Sequence, residues 1–207
     1  QIVESFNKAQ LEWCRRQLHG NNLYKEGDEV SKRRIDDLQR LLTTTVLFTI
    51  SPNDDYDVAT NFPDEYLEFK RVDIDATTEC CKKEPRSMTV YLVEEANIDL
   101  YMRDPLKRPD FEWGETFCTL NNNQIRLYKR EFDIVNPRLL YYRKPINIQI
   151  AACVDPYTNA LSPVDIECEF KDDIVELLID EAVSIVAGDI SDAAQAMRGS
   201  QMAEKNN

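Results

Sequence analysis

The chain has 207 residues, with 38 acids against 25 bases for a net charge of −13, and it is 30 % charged and 43 % hydrophobic. That apolar content supports a buried core and excludes a wholly disordered chain, while no apolar run reaches the roughly 18 residues that a bilayer crossing needs. The five glycines (20, 27, 114, 188 and 199) form no G-x-G, which excludes a P-loop and a dinucleotide-binding fingerprint, and the single histidine, His19, excludes a multi-histidine metal site.

The chain begins at Gln1, as expected of a trimmed gene product, and its first residues carry no charged and apolar signal pattern. Ile2, Phe6, Ala9, Trp13 and Leu18 recur at helical spacing, and His19-Gly20 supplies a cation and a stop at the helix end. After turn chemistry at 21–28, Ser31 is the expected N-cap of a second helix carrying Ile35, Leu38, Leu41 and Leu42, which completes a helical hairpin. Thr43 to Ile50 is rich in β-branched residues and predicts one strand, followed by an acidic loop to Asp57. Phe62-Pro63-Asp64-Glu65-Tyr66-Leu67 has a proline and two acids where a helix would begin.

Arg71 to Cys81 and Ser87 to Val93 are expected strands, and Glu94 to Arg103 is helix or loop before Pro105. Glu115 to Leu120 and Gln124 to Lys129 alternate around Asn121-Asn122-Asn123, a hairpin turn in which asparagine tolerates positive φ. Phe132 to Val135 and Leu139 to Arg143 form a further pair split by Asn136-Pro137, and apolar Pro145 to Val154 is expected to be strand-like. A wide apolar face from Ile174 to Ala187, closed by Gly188, predicts a core-packing helix, with a weaker one from about Asp189 to Met202. The expected fold is α+β, with a helical hairpin at the N-terminus, a β-rich middle and C-terminal helices packing on the core. Residues 1–192 form the expected single domain, and 193–207 a weak helix end and solvated tail.

Charge is unevenly distributed. Residues 51–79 hold nine acids against Lys70 and Arg71, and 165–192 hold ten against Lys171, whereas 124–144 hold six bases against Glu131 and Asp133. Such blocks suit either solvated faces or self-association through complementary patches. The aromatic and cationic mixture there marks Arg126, Lys129, Arg130, Tyr141, Tyr142 and Arg143 as candidate subunit contacts, together with Trp13 as an anchor.

Chemical signatures are sparse. Asn53, Asp55 and Asp57 have the alternate oxygens of a calcium loop, but Val58 stands where glycine is required and Asp64 where the bidentate glutamate belongs. Asp73-Ile74-Asp75 would put two carboxylates on one strand face, which permits but does not require a metal complex. His19 is the only candidate general base and is better explained by a helix end. The six cysteines (14, 80, 81, 118, 153 and 168) contain no C-x2-C and are expected to be reduced thiols in a reducing cytoplasm. No cofactor is expected.

Three stretches carry a family likeness: Phe6 to Trp13 running to Ile35 through Leu42; Pro109-Asp-Phe-Glu-Trp113 with Thr116-Phe-Cys118 and Tyr141 to Pro145; and Asp173 to Ala182 through Gly188-Asp189-Ile190. In these the chain resembles neck or tail ring proteins, the head-to-tail connectors of crAss-like tailed bacteriophages (podoviruses). The resemblance implies a non-enzymatic virion protein, assembled in the bacterial host cytoplasm and forming a cyclic homo-oligomer, commonly of about twelve copies. Its implied partners are the portal or adjacent ring proteins, with DNA passing through non-specifically and no membrane contact. The alternatives from other classes are an acidic metal-dependent enzyme or cation-binding protein using Asp54, Asp55, Asp57 or Asp73 and Asp75, and a capsid-internal cargo protein.

Overall fold

The computed structural model describes residues 2–19, 36–50, 54–78 and 85–189. The chain divides into two compact units, Gln1–Leu41 with Lys144–Asn207, and Leu42–Arg143. The span expected to be one domain thus contains a continuous unit, and a second one built from both flanks of it.

In the flanking unit, helix α1 (Ile2–His19) packs along helix α3 (Asp172–Asp189). The α1 seam holds Ala9, Trp13 and Cys14, with Trp13 2 % exposed and edge-on to Phe170 at 5.1 Å between ring centres. From α3 it receives Ile174, Leu178 and Ala182; burying each of the larger side chains is worth about 1.5–3 kcal/mol. Asp172 and Asp173 lie in the first turn of α3, where carboxylates oppose the positive end of the helix dipole. An ion pair joins Arg16 of α1 to Glu181 of α3. The expected second helix of the N-terminal hairpin starts outside the described residues. Its described part, 36–38, tightens into a 3-10 turn at Gln39–Leu41, and Leu42 already belongs to a strand. Lys171 pairs with Asp36 and, at 3.6 Å, with Asp37, while Arg40 donates to the Glu169 carbonyl at 2.6 Å. The expected helix from Asp189 to Met202 lies almost wholly outside the described residues.

The second unit is a curled eight-stranded sheet. Its strands are β1 (Leu42–Val46), β2 (Thr49–Ile50), β3 (Tyr56–Ala59), β4 (Tyr66–Thr77), β5 (Arg86–Leu92), β6 (Glu115–Asn121), β7 (Gln124–Tyr128) and β8 (Asp133–Arg143). Their order is β1-β8-β4-β5-β6-β7-β3-β2, antiparallel except for β5 beside β6. The parallel pair is joined by a crossover carrying a 3-10 turn (Glu95–Asn97) and helix α2 (Ile98–Arg103).

Because β1 and β2 are consecutive, residues 42–50 bridge both edges, pairing with β8 at one end and β3 at the other. The expected single strand is therefore two, bent at Leu47-Phe48. There Leu47 turns inward at 3 % exposure and its N–H donates to the Pro137 carbonyl at 2.8 Å. Asn61 clamps the bend, accepting from the Phe48 N–H at 2.6 Å and donating to the Val46 carbonyl at 2.7 Å. The curled sheet encloses Val72, Ile74, Met88, Ile125, Leu127 and Leu139 among its core residues.

Three local expectations are corrected by this sheet. Phe62 to Leu67 does not start a helix: Pro63 accepts from the Tyr66 N–H in a turn at 3.2 Å, and Tyr66 opens β4. Proline and acids favour such turns as readily as helix starts. The segments either side of Asn136-Pro137 are one strand, β8, because Asn136 at φ 50° forms a bulge that absorbs the proline. Pro145 to Val154, in the flanking unit, is irregular rather than a strand, with the isolated bridges Gln149–Ile166 and Val154–Leu161 in place of a ladder. The asparagine hairpin forms as the alternation predicts, with Asn122 and Asn123 at φ 48° and 56° between β6 and β7.

Candidate functional site

The expected contact residues fall mostly inside the two units. Trp13 is a core residue of the flanking unit, and its indole Nε1 is buried without a hydrogen-bond partner. Within the sheet unit Tyr141 is 2 % and Tyr142 8 % exposed. The Tyr141 hydroxyl lies 3.1 Å from Glu65, and burial reinforced by that carboxylate pushes the phenol up to about 12. Lys129 is tucked against Asp57 at 2.7 Å, with both side chains at 10 % exposure or less. Arg126 pairs with Glu95 and lies over the Tyr56 ring at 5.6 Å. Arg143 is half-buried, and Arg130, beside Glu131 at 3.5 Å, is the one of the set that is substantially exposed. As a continuous basic contact surface the segment is largely used up by its own fold.

The acidic candidates are also separated. Asp57 faces the sheet interior with Lys129, while Asp54 is exposed. Asp73 and Asp75 share the outer face of β4, alternating with buried Val72, Ile74 and Ala76, and Arg71 pairs with Asp73 at 3.2 Å. Among the described residues no group of three His, Cys, Asp or Glu side chains is arranged to hold a metal ion. Burial pushes the Cys14 and Cys118 thiols up to about 12; Cys153 is exposed.

A cleft of about 490 Å³ is lined by Arg86, Arg108, Arg130, Asp110, Glu112 and Glu131, among others. The Asp110 carboxylate accepts from the Glu112 and Trp113 N–H groups at 2.8 and 3.0 Å, which shapes the turn into Gly114. Gly114 is at φ 70°, and a Cβ there would meet the Arg86 guanidinium at 3.4 Å while that group donates to the Phe111 and Glu112 carbonyls. Three cations against three acids leave a lining with no strong field of either sign. Arg108 Nε is buried without a partner in it.

Two exposed apolar surfaces are larger features. The first is an arm in the flanking unit, 146–164, folded back on itself. Its backbone hydrogen bonds run from Ala152 N–H to the Ser162 carbonyl at 3.0 Å, Ser162 N–H to Cys153 at 2.9 Å and Asp155 N–H to Ala160 at 2.9 Å. Asp155, 8 % exposed, holds the tip by accepting from the Tyr157 N–H and the Thr158 hydroxyl, each at 2.9 Å. The base is anchored by Asn7 of α1, whose Oδ1 accepts from the Ile148 N–H at 2.9 Å and from Gln10 Nε2 at 3.0 Å. Along this ordered arm Val154, Tyr157, Leu161 and Val164 are all more than half exposed, Leu161 at 68 %.

The second surface lies on the bridging segment of the sheet unit, where Val46, Phe48 and Ile50 point outward, Phe48 at 69 % exposure. The sequence alternation marks a strand here, but alternation alone does not say which face is inside. Asn7 and Asp155 escaped the sequence reading because each acts by hydrogen bonds to remote or local backbone, and Gln10 because it bonds the Asn7 and Cys168 side chains, none with a spacing signature. Compared with known protein families and with curated protein sequences, the chain matches none.

Proposed function

We propose that this chain is a non-enzymatic structural subunit that assembles with copies of itself into a ring, in the portal–tail connection of a tailed bacteriophage virion. The observation carrying the self-association is the arm at 146–164. Exposed apolar side chains scattered singly are ordinary, but several on one hydrogen-bonded excursion mark an interaction surface. The apolar bridging segment at 42–50 is a second such surface. The virion setting comes from the likeness of Phe6 to Trp13, Pro109 to Trp113 and Asp173 to Ala182 to neck and tail ring proteins. In that setting the partners are the portal or a neighbouring ring, and acid-rich 51–79 or 165–192 facing a lumen would repel phosphate and let DNA slide.

Light scattering on the purified chain, with electron microscopy of negatively stained particles, tests the reading. A closed cyclic oligomer is expected, with about twelve copies the order that the likeness implies. A strictly monomeric chain, both alone and in isolated virion tails, would overturn it.

A further inference from the structure

We draw no further inference here: the strongest candidate, the apolar surface of the arm at 146–164, where Val154, Tyr157, Leu161 and Val164 are each more than half exposed, carries none because nothing in the structure shows what covers it.

Discussion

Lys129 sits in the basic stretch that the sequence offers for subunit contact, yet its ammonium lies 2.7 Å from the Asp57 carboxylate with both groups nearly inaccessible. At that separation and an effective dielectric constant near 20, the direct attraction is about 6 kcal/mol. Desolvation of both ions offsets most of this. Removing one partner is different, because the remaining charge keeps its desolvation cost and loses its compensation. Lys129→Met should therefore destabilise the sheet unit by about 3–5 kcal/mol, or about 6–20 °C in Tm for a chain of this size. The double variant Lys129→Met with Asp57→Leu should recover most of the loss, since no buried charge remains. Urea titrations followed by circular dichroism measure both. A single-variant cost below about 1 kcal/mol would refute the argument, as that is the size of a solvated surface pair.

Asn61→Ala removes two hydrogen bonds from the bend at Leu47-Phe48 and should cost about 1–2 kcal/mol in the same titration, with the loss absent in Asn61→Asp only at the accepting bond. Asp36 is held below its ordinary value of 3.8, first by the hydrogen bond from Lys171 and then by its charge, while Lys171 is raised above 10.5 by the same partner. A lowered carboxyl stabilises the fold above 3.8 and loses that contribution as pH falls through its folded value; a raised amine does so below 10.5 and loses it as pH rises. The urea midpoints of the parent and Asp36→Asn should differ by a constant amount between those limits and draw together as pH falls below 3.8; a gap that does not narrow there would contradict the pairing.

What could be read along the chain was what is local. The asparagine hairpin needs only two residues that tolerate positive φ between alternating runs, and α3 needs only its apolar face and its leading aspartates. Ile179 and Val183 of that face are nevertheless about half exposed, because a face wider than the seam on α1 cannot all be covered by one helix. Non-local facts stayed hidden. Whether Asn136-Pro137 ends a strand or bulges within one depends on β4 lying alongside, and whether residues 42–50 run straight depends on two different neighbours claiming its ends. For the candidate contacts, composition could not separate a cation with a buried partner, Lys129, from one in solvent, Arg130. Nor could it find the arm, whose base is anchored by Asn7 from the far end of the chain.

The sheet unit is one uninterrupted stretch of polypeptide, whereas α1 and α3, which pack on each other, are separated by all of it. During synthesis α1 leaves the ribosome first and meets its mate last. Every hairpin of the curled sheet can form in the interval, and Trp13 remains without its Phe170 cover until translation has passed the arm. A nascent chain stalled once Arg143 has cleared the exit tunnel should accordingly carry a finished sheet and an unpaired amphipathic helix.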